Sequence, residues 1–155
     1  MAGIPAAVAD FLRGKRFAVA GVSRQPGQAA NAVFRRLKQS GYEVFPVNPK
    51  AAEVEGVRCY PDLGSVPGPL DGVVIATAPG VSADIVRQCA NRGVPRVWFH
   101  RSFGSGSVSE EGVRACEALG ISAIVGGCPL MFCEPVDGGH KCMRWWLQWR
   151  GRVPS

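Results

Sequence analysis

What this chain lacks excludes several functions. Across its 155 residues there is no charge-free apolar run of about 18, the length a membrane-spanning helix requires, so no membrane span is expected. Residues Met1 to Asp10 have no basic stretch leading into an apolar one, which argues against a secretory signal and for a cytoplasmic protein. Lys and Arg number 18 against 12 Asp and Glu, yet they are spread along the chain and form no nucleic-acid-binding motif. The net charge of +6 therefore favours a small anionic partner, and no nucleic acid is expected. No C-x2-C pair occurs among Cys59, Cys89, Cys116, Cys128, Cys133 and Cys142, and without a secretory context reduced thiols are expected. There is no internal repeat and no tight G-x-G-x-x-G motif.

What is present reads as one domain, 46% hydrophobic and long enough to bury a single core. Its organising stretch is the apolar segment Phe17-Ala18-Val19-Ala20, followed by the loop Gly21-Val22-Ser23-Arg24-Gln25-Pro26-Gly27. Beyond the loop, Ala30, Val33, Phe34 and Leu37 recur at i, i+3, i+4, i+7, one buried face of a helix. Strand, loop and helix in that order aim free N–H groups and the positive end of a helix dipole at whatever lies over the loop, and a phosphate suits that position.

In chain order, the patterning predicts a short helix over 5–13, strands at 16–20 and 43–47, and a short strand at 57–59. The near-continuous apolar run 72–76 reads as a strand buried on both faces, with Thr77-Ala78-Pro79-Gly80 as its exit loop. A helix bearing Ile85, Val86, Cys89 and Ala90 on one face runs to Gly93, and strand 96–99 leads into a glycine- and serine-rich loop, 100–107. Ser107-x-x-Glu110 resembles a capping box for a helix ending at Gly120, and a last strand spans 121–125. Strands alternating with helices predict an α/β fold, a doubly wound, Rossmann-like parallel sheet of about five to six strands in a single domain.

In such a sheet a ligand sits beyond the carboxyl ends of the strands where strand order reverses, here at loops 21–29, 48–50, 77–80 and 99–106. Gly21 lets backbone approach a phosphate, Ser23 and Arg24 offer donors, and Lys50 adds a charge. Dinucleotide sheets that take NAD place an acidic residue at the end of the second strand to hold the ribose. This chain has Asn48 and Lys50 there, which suits a ribose carrying an extra phosphate, as in NADP or coenzyme A.

Four segments carry a family resemblance: Ala20-Gly21-Val22-Ser23, the stretch Gly41 to Lys50 with Pro46-Val47-Asn48-Pro49-Lys50 as its most specific part, the strand and exit from Asp71 to Pro79, and Val97-Trp98-Phe99. Together they resemble the small CoA-binding protein family, itself similar to the N-terminal domain of the succinyl-CoA synthetase alpha subunit. The likeness covers about residues 10–130. It implies coenzyme A, or a short acyl-CoA, as ligand. By this likeness Gly21, Val22, Ser23 and Arg24 lie against the phosphates, and Val47, Asn48, Pro49 and Lys50 at the adenosine and 3′-phosphate end. Thr77 and Pro79 flank the pyrophosphate or pantetheine, with Phe99 and His100 completing the set. A binding module, without a catalytic constellation, is the leading expectation; an NADP-dependent oxidoreductase is the alternative. His100 can serve as acid or base at the strand end or as a hydrogen-bonded loop residue.

Residues 1–130 are thus read as the CoA-binding domain and 131–155 as an extension, whose helix over 140–150 carries Trp145, Trp146 and Trp149 for packing on the domain or on a twin subunit in a homodimer. Cys128, Cys133, His140 and Cys142 make a C-x4-C-x6-H-x-C pattern. Its irregular spacing favours buried or reactive thiols over a metal site, so no metal is expected. Cys128, after the last strand, is placed near the crevice mouth, where an accessible thiol would exchange with that of CoA.

Overall fold

The first strand, β1 (Arg16–Ala20), alternates its side chains between two cores, and this alternation generates the layered architecture. The computed structural model describes residues 4–101 and 106–132. Phe17 and Val19 point into one apolar layer and Ala18 and Ala20 into the other. On either side β1 pairs in parallel with β2 (Glu43–Val47) and with β5 (Gly72–Ile75). Strands β6 (Arg96–Phe99) and β7 (Ser122–Val125) continue the sheet in parallel, giving the order β2-β1-β5-β6-β7. The sheet has five strands, and among the described residues it is wholly parallel.

Helices cover both faces. Helix α1 (Ala6–Leu12) and α2 (Ala29–Gln39) pack on the layer of Phe17, Val19, Val74 and Trp98, while α3 (Pro79–Arg92) and α4 (Glu110–Leu119) pack on that of Ala18, Val73, Ile75 and Phe99. Expectation and structure agree on the doubly wound α/β fold. Phe11 of α1 stacks on Phe17 with centroids 4.8 Å apart and meets Trp98 edge-on at 5.5 Å. The carboxylate of Asp71, at the start of β5, accepts the backbone N–H groups of Lys15 and Arg16 at 2.7 and 2.9 Å, which hold it below its ordinary pKa.

Several element boundaries depart from the patterning. The cap of α4 is Ser109 and not Ser107, whose hydroxyl is turned instead to Ile75 O and His100 O. The expected strand at 57–59 is β4 (Val57–Arg58), paired antiparallel with β3 (Glu53–Val54) in a two-residue hairpin outside the main sheet. The expected exit loop 77–80 is cut short, because Pro79 is the first residue of α3 and its fixed φ suits that position. The last strand starts at Ser122, since the Ile121 N–H is taken by Cys116 O at the end of α4.

Cys128 is a correction of substance. It is 2% exposed, in the same layer as Trp98 and Met131, so it does not present an accessible thiol at the crevice. Met131 and Phe132, assigned to the extension, also lie in this core, with Phe132 against the Trp98 ring at 5.8 Å. Cys133, His140, Cys142, Trp145, Trp146 and Trp149 lie outside the described residues. No helix among the described residues is long and apolar enough to cross a membrane.

Candidate functional site

Strand order reverses at β1. The chain leaves β1 for α2 on one face and leaves β5 for α3 on the other, so the loops at the two strand ends part and open a crevice between them. A cavity of about 470 Å³ lies there, lined by Gly21 from the first loop, Val47 at the end of β2 with Asn48 to Lys50 after it, Thr77 and Ala78 after β5, and one flank of α3. A second cavity of about 580 Å³, lined by Ser23, Arg24, Gln25 and Gln28, shares Gly21, Asn48 and Lys50 with the first. The two adjoin along those shared residues and form one groove across the carboxyl edge of the sheet.

Gly21 is required here for a reason the sequence does not show. Its φ is +105°, and an added Cβ would stand 2.5 Å from the Ala76 carbonyl oxygen. The residue therefore lets the exits of β1 and β5 approach each other, whereas Gly27 faces open space with no such restriction. Asn48 ties the groove together. Its Nδ2 donates to Val22 O at 2.9 Å, its Oδ1 accepts the Lys50 N–H at 2.9 Å, and its own N–H donates to Tyr60 O. Lys50 and Arg24 are exposed and line the groove, one at the shared boundary and the other in the second cavity.

Two helix N-termini reach this groove through their preceding residues, Gln28 for α2 and Ala78 for α3. Neither start has a side-chain cap, and neither first turn holds an acidic residue. By contrast, α4 starts with the Ser109 hydroxyl accepting the Gly112 N–H at 2.9 Å, and Glu110 and Glu111 follow. The short helix α1 also starts uncapped at Pro5; at the groove two such uncompensated positive dipole ends converge. The backbone N–H groups of Arg24 and Gly27 also have no acceptor among the described residues. Thr77 adds a buried hydroxyl, Oγ1, likewise without a partner among the described residues. A ligand rich in anionic oxygens would supply what all of these lack.

Gly21, Val47, Asn48, Pro49, Lys50 and Thr77 line the first cavity, and Ser23 and Arg24 the second. The remaining candidates line neither. Val22 and Phe99 are fully buried in the two core layers. Pro79 starts α3 just past the lining residue Ala78. His100 is 8% exposed, with its N–H on Ile75 O and its carbonyl accepting from the N–H and hydroxyl of Ser107.

Sequence reasoning missed the α3 wall: Val81, Asp84, Ile85 and Gln88 stand at i, i+3, i+4, i+7, a pattern legible only once the helix is started at Pro79. Gln88 donates to the Asp84 carboxylate at 2.9 Å and accepts the Leu63 N–H at 3.0 Å, so this wall is fixed to the loop before β5.

Residues 15–134 match the CoA binding domain family. An ADP-forming acetate–CoA ligase II of Archaeoglobus fulgidus is 30% identical over 110 residues, which cover 70% of this chain and 16% of the ligase. The chain thus spans about a sixth of that relative's length. The uncharacterized protein YneT of Bacillus subtilis is 31% identical over 120 residues, 75% of this chain and 83% of that protein. Among solved structures, a hypothetical protein from Pyrococcus horikoshii superposes with a TM-score of 0.72 at 27% identity, covering 83% of this chain and 92% of the other.

Proposed function

Because this chain belongs to the CoA binding domain family, we propose that it is a binding module that holds coenzyme A or a short acyl-CoA in the groove between β1 and β5. The observation that carries this reading is the pair of uncapped helix N-termini at one groove that also bears Lys50 and Arg24. CoA carries a pyrophosphate and a 3′-phosphate, and the residues present fit them. In this reading the α2 start, the Arg24 and Gly27 N–H groups and the Arg24 side chain take the pyrophosphate. Thr77 donates its unpartnered hydroxyl to the same region, and the α3 start beginning at Pro79 adds its dipole. Lys50 faces the 3′-phosphate, beside Pro49 and Val47 at the adenosine end. Asn48 positions Lys50, and Val22, Phe99 and His100 act from beneath as the packed floor of the loops.

No acidic residue closes β2, a feature equally compatible with NADP, so the test sets the two ligands side by side. Calorimetric titration of the protein with CoA, dephospho-CoA, NADP and NAD is expected to give one CoA site per chain. Dephospho-CoA is expected to bind about tenfold more weakly, the equivalent of ~1.4 kcal/mol. Lys50→Ala should weaken CoA by about the same factor and leave dephospho-CoA nearly unchanged, because the charge-assisted contact it removes is made only to the 3′-phosphate. Binding of NADP without binding of CoA would overturn the proposal.

A further inference from the structure

The hairpin turn joining β3 and β4 consists of Glu55 and Gly56, both with positive φ, +51° and +73°. A two-residue turn of that kind favours Asn-Gly or Gly-Gly, since each central residue is left-handed. Glu55 is the only non-glycine residue with positive φ among the described residues, and nothing in the turn itself asks for a glutamate. Its contacts lie elsewhere. The Glu55 side chain is 13% exposed, and its Oε1 accepts from Asn31 Nδ2 at 2.8 Å and from Arg35 at 2.6 Å.

Asn31 is the one polar residue on the otherwise apolar buried face of α2, and it is 1% exposed. Its Oδ1 accepts the Ser23 N–H at 3.0 Å and its Nδ2 donates to Ser23 O at 2.7 Å, so a single side chain grips both backbone groups of Ser23. Arg35 extends the same assembly to Pro26 O at 3.1 Å. Glu55 orients Asn31 and Arg35, which hold the 21–28 loop at two points. Next to Ser23 so held stands Arg24, which lines the groove and whose N–H has no acceptor among the described residues.

We infer that Glu55 and Asn31 are positioning residues that set the conformation of the 21–28 loop for its ligand, a role that rests on the CoA reading above. The left-handed strain at Glu55 is tolerated because its carboxylate is needed at this place. The inference separates from a merely structural role through Glu55→Gly. Glycine relieves the strained turn but removes the acceptor of Asn31 and Arg35, so a merely structural role predicts a shifted thermal midpoint with the CoA Kd unaltered. If the carboxylate positions the loop, the same variant loosens Asn31 and exposes the Ser23 amide.

The experiment measures hydrogen exchange at the Ser23 amide in the ligand-free protein, together with the CoA Kd, for wild type, Glu55→Gly and Glu55→Gln. In Glu55→Gly, exchange is expected to speed up about fivefold, the factor that loss of one ordinary hydrogen bond represents, and the CoA Kd to rise by a similar factor. Glu55→Gln keeps an acceptor oxygen for Asn31 and should restore most of both. Unchanged Ser23 exchange in Glu55→Gly overturns the inference, as does faster exchange with an unaltered CoA Kd. A wild type that binds no CoA refutes the proposed ligand and any role of these residues in its binding, while exchange still decides whether Glu55 holds the loop.

Discussion

Replacing Gly21 by alanine is expected to cost about 2–5 kcal/mol of stability and to abolish measurable CoA binding. Two costs add at this position. A left-handed conformation disfavours any side chain with a Cβ by roughly 1–2 kcal/mol. The Cβ would also stand 2.5 Å from a carbonyl oxygen of Ala76, a backbone atom with no rotamer through which to withdraw. Relief requires the exits of β1 and β5 to separate, and strain of that kind in a packed region typically costs about 1–3 kcal/mol. The strand ends that separate are those carrying Gly21 and Thr77 into the groove, so ligand geometry is lost along with stability. Gly27→Ala is the matched control. Its Cβ meets nothing within 4 Å and its φ is unrestricted, so denaturant unfolding should show it near wild type. Equal stability of the two variants would contradict the close approach seen between β1 and β5.

Trp98→Ala is expected to destabilise the fold by about 3–5 kcal/mol, the usual range for removing a fully buried large aromatic. The ring is the joint between chain segments distant in sequence. Phe11 of the first helix meets it edge-on, Phe132 leans on it from the other end of the described chain, and its Nε1 donates to Gly126 O at 2.9 Å. Truncation leaves a cavity between these segments and a buried carbonyl without its donor. Because Trp98 lines neither cavity of the groove, the surviving folded fraction should bind CoA with an affinity close to wild type. Chemical denaturation and calorimetry on the same preparation check both halves. Loss below about 1 kcal/mol would mean that the ring does not join these segments.

The apolar segment from Phe17 to Ala20 and the unbroken apolar run from Val73 to Ile75 were legible because a central parallel strand has no solvent face to encode. The groove was legible in part for a related reason. Loops at strand ends must hold the glycines, prolines and polar residues that strands exclude, so Gly21, Asn48, Pro49, Lys50 and Thr77 stood out. The α3 wall escaped because Pro79 and Gly80 read as breakers, whereas a proline at the first helical position leaves no N–H unsatisfied that would otherwise be bonded. Val22 stands between the groove residues Gly21 and Ser23 but is buried in one core layer, and Phe99, at the end of β6, is buried in the other. Asn31 carried a signal in being polar on an apolar stripe. Its partner Glu55 carried none, because a pairing across 24 residues through a hairpin turn has no local pattern.

The most direct test of the proposed site follows the backbone amides of the described residues while CoA is added to saturation. The largest chemical-shift changes are expected at Gly21 to Gln28, at Lys50 and from Thr77 to Ser82, with residues of α1 and the far end of the sheet nearly still. Saturable binding whose changes fall elsewhere, with those three segments unmoved, would contradict the assignment of the groove between β1 and β5 as the CoA site.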